Sequence, residues 1–201
     1  MNDSFAHRAA EWDSPEKVEM TKIFVTEMLQ HVKPDKNWKA LEIGAGTGLV
    51  GLQLLPIVNT IVFEDTSAAM LDVLRNKLRD ENSIEIVHGE IYDYKTRDID
   101  FVFSCMAFHH IPELEKTLKH LYEIMTPDAT IVVGDLRAED GSFHRFEPIP
   151  HRGFEPEVLI NKFQDAGFKV LATKTYNTLT RERVEGILTD YDQFILIAKR
   201  N

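Results

Sequence analysis

A glycine-rich segment between an apolar run and a helical pattern constrains this chain more than any other feature. Residues 41–49 read LEIGAGTGL; the apolar run predicts a buried strand at 39–43, and the pattern that follows predicts a helix at 49–55. Glycines at such a junction allow a tight turn and close approach of a ligand, and free amides at the helix start attract anions. At the first strand-to-helix turn of a doubly wound sheet, this is where nucleotides bind.

Predicted strands and helices alternate after this unit. Apolar runs predict strands at 60–63, 83–87, 99–103 and 130–134, and periodic segments predict helices at 16–31, 68–78 and 112–125. A helix at 155–166 then precedes two terminal strands at 168–176 and 191–198, which we expect to pair antiparallel. The pattern predicts an α/β fold: a Rossmann-like three-layer αβα sandwich with a mostly parallel seven-stranded sheet and an antiparallel last strand. A length of 201 residues fits one domain, residues 1–201.

The charge balance favours some partners over others. The net charge is −10, from 33 acidic and 23 basic side chains, and no lysine–arginine cluster stands out. Nucleic-acid binders usually carry a basic face, so we expect a small-molecule partner and no nucleic acid. The single cysteine, Cys105, excludes an internal disulfide. No apolar run approaches a signal peptide or the roughly 20 residues of a membrane span, so we expect a cytoplasmic location.

The register of the glycines separates two classes of nucleotide site. Read from Gly44, the dinucleotide fingerprint G-x-G-x-x-G requires glycine at position 49, which is leucine, and a match begun at Gly46 starts two residues too late. The pattern acidic-x-G-x-G-x-G fits from Glu42 without a shift. It resembles the first motif of class I S-adenosylmethionine (SAM) dependent methyltransferases. The resemblance implies SAM as cofactor, with S-adenosyl-L-homocysteine as product, bound by Glu42, Gly44, Ala45, Gly46, Thr47 and Gly48.

A carboxylate at the end of the second strand is the expected partner of the ribose diol. Residues 64 and 65 are both acidic, and alternation in a strand lets one of them face the site. The run D-x-S followed by M-L is similar to that of related methyltransferases, which favours Asp65, with Thr66 beside it. Glu64 is then expected on a solvent-facing edge. Met70 either lines the adenine side or packs within its helix.

The third and fourth strands supply further expected contacts. Similar enzymes usually have Gly-Asp after the third strand, where this chain has Gly-Glu. The resemblance implies that Glu90 accepts from the adenine amino group and that the Ile91 amide meets the ring; the alternative for Glu90 is a surface turn. Cys105 and Met106 end the fourth strand beside the ligand. Because methyl transfer needs no enzyme nucleophile, we interpret Cys105 as a packing residue.

Histidines dominate the expected acceptor side. The sequence HHI at 109–111 looks like that of small-molecule methyltransferases, including those of quinone biosynthesis. We expect one of the pair to face the cleft and the other to pack. The run from Asp135 to His144, DLRAEDGSFH, the run HRGF at 151–154 and an N-terminal Phe5…Trp12-Asp13 resemble a group of small bacterial methyltransferases. The resemblance covers essentially the whole chain and implies a reaction class without naming the acceptor.

Three interpretations of these histidines remain open. They hydrogen-bond and deprotonate an acceptor, they bind a metal that orients a catechol-like acceptor, or they tie down a loop. We predict the first, with no metal, and with His110, His144, His151 and Asp135 as catalytic residues. Residues 136–155 form the acceptor-side loop. Residues 1–31 form an N-terminal lid and helix, in which Trp12 closes over the cofactor or is a buried anchor.

The predicted reaction is in-line displacement at the sulfonium methyl carbon by a small-molecule acceptor. A catalytically silent SAM-binding protein is the first alternative, since it requires the same cofactor residues. A nicotinamide-dependent oxidoreductase is the second. The glycine register and the lack of a Y-x-x-x-K motif after the fourth strand disfavour it.

Overall fold

The computed structural model describes residues 5–78 and 83–201. Its seven strands form one sheet in the order β3-β2-β1-β4-β5-β7-β6. Strands β1 to β5 run parallel, and β7 lies antiparallel to both β5 and β6. The predicted sheet is therefore confirmed. The strands are β1 Lys39–Ile43, β2 Thr60–Asp65, β3 Ile84–His88, β4 Ile99–Cys105, β5 Met125–Leu136, β6 Phe168–Val184 and β7 Ile187–Arg200.

Five α-helices flank this sheet in the described parts of the chain: α1 Pro15–His31, α2 Gly51–Leu54, α3 Ala68–Lys77, α4 Leu114–Ile124 and α5 Pro156–Asp165. Side-chain caps begin two of them. Ser14 accepts from the Lys17 amide and Ser67 accepts from the Met70 amide. Helix α2 is shorter than predicted, because the chain tightens at Pro56 into a 3₁₀ turn, Leu55–Ile57.

The sheet is buried on both faces. Neighbouring residues of β1 point to opposite sides, so that Leu41 joins the apolar layer under α4 and α5 and Ala40 joins the layer under α1 and α3. Parallel strands covered in this way read as continuous apolar runs, which is why the sequence shows them clearly. Among the residues described, no helix has the length and apolar character that crossing a membrane requires.

The last two strands extend well beyond their predicted ends. The predicted segments 168–176 and 191–198 become a hairpin of 17 and 14 residues with Gly186 in its turn. Its outer half is mostly polar, and its few buried side chains, such as Leu179 and Tyr191, pack on Leu136 in a small separate cluster, so hydrophobic periodicity did not reveal it. Threonine–aspartate pairs across the hairpin contribute to its stability: Thr178 Oγ1 donates to Asp192 at 2.7 Å and Thr180 Oγ1 donates to Asp190 at 2.5 Å.

The order of strands places a topological switch between β1 and β4. The chain leaves β1 toward β2 on one side and returns through β4 on the other, which opens a crevice at the carboxyl ends of these strands. The glycine turn follows β1, the pair His109–His110 follows β4, and Asp135 lies near the end of β5. The predicted site residues therefore gather along one edge of the sheet.

Candidate active site

The glycine turn packs directly on the segment after β4. Gly44, Gly46 and Gly48 have positive φ angles of 65°, 55° and 81°. A Cβ at Gly44 would lie 2.4 Å from Ala107 Cβ, so position 44 needs glycine for both its backbone and its packing. The Ala45 amide donates to the Glu64 carbonyl at 2.8 Å and ties the turn to β2.

Two buried carboxyl groups lie beneath the turn. Glu42 Oε2 accepts from the Gly51 amide at 3.0 Å, and burial raises its pKa well above the usual range. Glu64 Oε2 accepts from the Gly44 amide at 3.3 Å. Burial, with a further contribution from the charge of Asp65, raises the pKa of Glu64 to about 8. Glu64 thus fixes an amide of the turn, and Glu42 fixes the first amide of α2.

The expectation of a solvent-facing Glu64 is wrong: the residue is 4% exposed. The position of Glu64 within a central strand already indicated that it is buried, and our prediction did not use this. Helices cover both faces of a central parallel strand, so a residue within β2 has no solvent-facing side to occupy.

Asp65 lies at the glycine turn, where the sequence places the ribose-binding acid. Its Oδ2 accepts from the Gly46 amide at 2.6 Å and its Oδ1 accepts from the Ser67 amide at 2.8 Å. Its neighbour Thr66 is exposed at the mouth of the crevice. Met70 is 2% exposed and packs inside the protein, which agrees with the packing interpretation.

The turn after β3 lies beside Asp65. The Gly89 amide donates to the Asp65 carbonyl at 3.1 Å. Glu90 is exposed and its amide donates to Asp93 Oδ2 at 3.2 Å, whereas Ile91 is buried. Glu90 and Ile91, the two residues expected at the adenine ring, thus follow the turn that contacts Asp65.

The end of β4 is backbone-strained at Met106, whose φ of 59° is unusual for a side chain of this size. Its amide donates to the Gly134 carbonyl at 2.8 Å, and Gln193 Nε2 donates to its sulfur at 2.9 Å. The preceding Cys105 is partly buried, and burial raises the pKa of its thiol. A protonated thiol is a poor nucleophile, consistent with a packing role for Cys105.

Three imidazole rings meet over the carboxyl ends of β4 and β5. We call His109, His110 and His144 the histidine trio. The ring centroids are separated by 4.1 Å between His109 and His110, 4.9 Å between His109 and His144, and 5.4 Å between His110 and His144. Burial, followed by the neighbouring histidines, lowers the pKa of His110 to about 3; burial and His109 lower that of His144 to about 4. Both rings are therefore neutral near pH 7.

Asp135 anchors the trio through His109. His109 Nδ1 lies 2.6 Å from Asp135 Oδ1, and the His109 amide donates to Asp135 Oδ2 at 3.1 Å. Both side chains are buried, whereas His110 is partly exposed. His109 is therefore the packed member of the pair, and His110 is the more exposed member. The sequence pointed to Asp135 as catalytic, but in the structure it acts on the trio through His109.

The acceptor-side loop holds His144 in place. Glu139 Oε2 accepts from the amides of Gly141 and Phe143 at 2.7 and 3.1 Å, which shapes the turn Ser142–His144. Ser142 Oγ lies 2.6 Å from the Tyr191 hydroxyl, which ties the turn to β7. These contacts explain the run D-G-S-F-H at residues 140–144, because its turn positions the imidazole of His144.

His151 lies outside the trio. Its Nε2–H donates to the Ile111 carbonyl at 2.9 Å, and its amide donates to the His109 carbonyl at 3.1 Å. The segment that follows pairs with the start of the loop, where the Ala138 amide donates to the Phe154 carbonyl at 3.0 Å. The structure thus brings His110 and His144 close to Asp135. His151 instead links the acceptor-side loop to the turn after β4 through its two hydrogen bonds.

The N-terminal segment lies across the crevice. The Phe5 ring is 5.7 Å from Trp12 and 5.4 Å from His110. Asp13 joins this segment to the glycine turn: its Oδ1 accepts from Thr47 Oγ1 at 2.5 Å and its Oδ2 pairs with Lys77 at 2.5 Å. The sequence did not single out the pair of Asp13 and Lys77, because these residues are far apart along the chain.

The comparisons with known proteins agree with this geometry. A family model described as a methyltransferase domain matches residues 41–133, a little under half of the chain. An uncharacterised methyltransferase of Schizosaccharomyces pombe is 28% identical over 146 residues, which cover 63% of this chain and 51% of the relative. One of Oceanobacillus iheyensis is 32% identical over 117 residues, which cover 56% of this chain and 54% of the relative. The chain spans about half the length of these two curated relatives.

The architecture has counterparts among solved structures. A SAM-dependent methyltransferase from Aquifex aeolicus superimposes with a TM-score of 0.73 at 17% identity, covering 98% of both chains. At this identity the likeness concerns the fold, and it supports the αβα sandwich. The matched segment 41–133 contains the glycine turn, Asp65 and the pair His109–His110. Residues 41–133 therefore match a methyltransferase domain, and the chain as a whole has the fold of the SAM-dependent methyltransferase from Aquifex aeolicus.

Proposed function

We propose that this chain transfers the sulfonium methyl group of SAM to a small-molecule acceptor by in-line displacement. The proposal depends most on the close packing of the glycine turn against the segment that leads to the histidine trio, where a Cβ at Gly44 would lie 2.4 Å from Ala107 Cβ. A nucleoside on the turn and an acceptor beside the trio are then neighbours at the carboxyl ends of β1 and β4.

The groups around the turn fit the polar parts of SAM. Asp65 offers two carboxylate oxygens to a ribose diol, and Glu42 offers a buried carboxyl oxygen toward an ammonium group. Trp12 lies against the turn, since a Cβ at Gly46 would meet Trp12 Nε1 at 3.7 Å. Glu90 and Ile91 follow the turn that contacts Asp65 and remain our candidates for the adenine. The Thr47 hydroxyl donates to Asp13, so we propose that Thr47 holds the N-terminal segment over the site.

The protein's contribution is to orient the acceptor, take up its proton and exclude water. When bound, SAM supplies a methyl group already activated by the sulfonium charge. His110 and His144 are neutral near pH 7, so each offers a nitrogen lone pair to the hydrogen of an acceptor hydroxyl, thiol or ammonium group. Asp135 orients the adjoining His109, whose ring packs against both of these imidazoles. Phe5 and Trp12 cover the crevice against solvent.

The charge of the protein supports a small acceptor. A net charge of −10 repels nucleic acid and other polyanions. The acceptor side is built from uncharged imidazoles and the aromatic rings of Phe5 and Phe143. Such surroundings suit a small molecule with one nucleophilic atom.

Thermal unfolding with SAM, S-adenosylhomocysteine or NADH tests the cofactor assignment. A ligand at 100 times its Kd stabilises the folded state by about 2.7 kcal/mol, which for a domain of this size is a rise in Tm of roughly 5–10 °C. We expect this rise with both adenosyl ligands, none with NADH, and its loss in Asp65→Ala. Asp72→Ala is the matched control, because Asp72 is an exposed acid on α3 that pairs with Arg75. A rise with NADH alone would refute the proposal.

A further inference from the structure

We propose that the histidine trio binds a divalent transition-metal ion such as Zn²⁺. One ring nitrogen from each of His109, His110 and His144 lies within 4.8 Å of the others. Around a tetrahedral zinc ion with Zn–N distances of about 2.0–2.1 Å, ligand nitrogens stand roughly 3.3 Å apart. The widest pair must therefore close by no more than about 1.5 Å, which small ring rotations provide.

The hydrogen bonding of His109 is that of a metal ligand. Its Nδ1 is held 2.6 Å from the buried Asp135 carboxylate, so Nε2 is the nitrogen left for the ion. A carboxylate behind an imidazole fixes the ring and raises its basicity as a ligand. Asp135 is itself fixed, because Oδ1 accepts from the Leu136 amide at 2.7 Å and Oδ2 accepts from the His109 amide at 3.1 Å.

His144 supplies an independent observation. Its Nδ1 is buried and has no hydrogen-bond partner among the residues that the structure describes. Leaving a buried polar atom unpaired costs roughly 1–3 kcal/mol, so such an atom calls for an explanation. Two contacts hold the His144 ring in position. Glu139 shapes its turn, and the Phe143 ring packs against it with 4.9 Å between the ring centroids. An orphaned nitrogen on a fixed ring beside two further imidazoles suits an ion.

The three histidines leave one coordination position of the ion open for a molecule from outside the protein. Three imidazoles satisfy three of the four positions that zinc prefers, the arrangement of sites that keep an open position. His151 does not fill the fourth, since its Nε2–H donates to the Ile111 carbonyl. The sequence left a metal as one of three interpretations and could not favour it, because the distance between residues 110 and 144 in space depends on how the acceptor-side loop folds back.

An ion here takes the lone pairs of His110 and His144 as ligands and replaces them as the group that activates the acceptor. It also narrows the class of acceptor, and this step rests on the proposed methyl transfer. A hydroxyl or thiol that occupies the open position loses its proton to solvent or to a neighbouring base, and its lone pair remains on oxygen or sulfur. That lone pair forms the new bond to the methyl carbon as the sulfonium carbon–sulfur bond breaks. The expected acceptors are thus phenols, alcohols or thiols.

The direct test is metal binding by tag-free protein stripped with a chelator. Titration with Co²⁺, followed by its visible absorption, and with Zn²⁺ by calorimetry should give one bound ion per chain. We expect His144→Ala, and separately His110→Ala, to weaken binding at least tenfold. The matched control is His31→Ala, which removes a histidine of α1 that contacts Glu27 far from the trio. Thermal unfolding without metal verifies that each variant is folded.

The outcomes separate this proposal from the proposed function. One ion bound by wild type and by His31→Ala, with weaker binding in both trio variants, supports the site. No binding by wild type, or unchanged binding in both trio variants, overturns it. SAM binding is measured in the same samples by calorimetry, so a failure of the metal site with intact SAM binding leaves the methyl-transfer proposal standing.

Discussion

Replacement of Gly44 by alanine tests the junction on which the site depends. In the structure a Cβ at this position would lie 2.4 Å from Ala107 Cβ, and φ is +65°. The substitution therefore introduces two separate costs, an unfavourable backbone conformation and a steric clash. The clash pushes the glycine turn away from the segment that carries His109 and His110.

The magnitude follows from these two terms. A left-handed conformation costs an alanine roughly 1–2 kcal/mol, and overpacking a close contact adds roughly 1–3 kcal/mol. We expect Gly44→Ala to lower the free energy of unfolding by about 2–5 kcal/mol in total. Gly186→Ala isolates the first term: φ is +75° there, but no atom lies within 4 Å of the added Cβ.

Urea unfolding measures both variants against wild type. Gly44→Ala should be the less stable of the two by about 1–3 kcal/mol, the cost of the clash. It should also lose SAM binding in calorimetry, whereas Gly186→Ala keeps it. Ala107→Gly in the Gly44→Ala background should restore part of the stability. Equal stability and equal SAM affinity of the two single variants would refute the packing described for this junction.

Three further predictions concern other parts of the site. The pKa of Glu64 is about 8 in the folded state, above its value in the unfolded chain, so the protonated side chain stabilises the fold fully at pH values below the unfolded pKa. This stabilisation is lost as the pH rises toward 8, and Tm should fall with it. Glu64→Gln should flatten the fall in Tm, and an unchanged pH profile would contradict the assignment. Tyr191→Phe leaves the buried Ser142 hydroxyl unpaired and should cost about 1–3 kcal/mol in urea unfolding, against a smaller effect of Tyr122→Phe at an exposed hydroxyl. Asp13→Ala frees Thr47 and Lys77, so limited proteolysis should cut the N-terminal segment faster, with Asp35→Ala as an exposed control.

The sequence predicted the sheet well, because buried parallel strands and amphipathic helices leave strong periodic signals. It also placed the glycine turn and Asp65, whose spacing is local. It failed at the outer half of the β6–β7 hairpin, where cross-strand pairs such as Thr178–Asp192 take the place of apolar alternation. Glu64 was misplaced because adjacent acids were treated as if one strand face were exposed.

Long-range contacts account for the rest of what the sequence did not reveal. The trio depends on the turn Ser142–His144 folding back over the end of β4, which the carboxylate of Glu139 and the hydroxyl of Tyr191 bring about. Likewise, Asp13 meets Lys77 only through the path of the N-terminal segment. Neither arrangement leaves a periodic pattern in the chain.

The central claim is methyl transfer at this crevice, and transfer of labelled methyl from SAM tests it most directly. A panel of thiols, phenols, alcohols, amines and carboxylic acids is incubated with the protein, and label in the acceptor and S-adenosylhomocysteine are both quantified. We predict stoichiometric formation of both products with at least one acceptor class, abolished by Asp65→Ala and retained by Asp72→Ala. Tight binding of SAM without transfer to any class would contradict the claim and favour a SAM-binding protein that lacks catalysis.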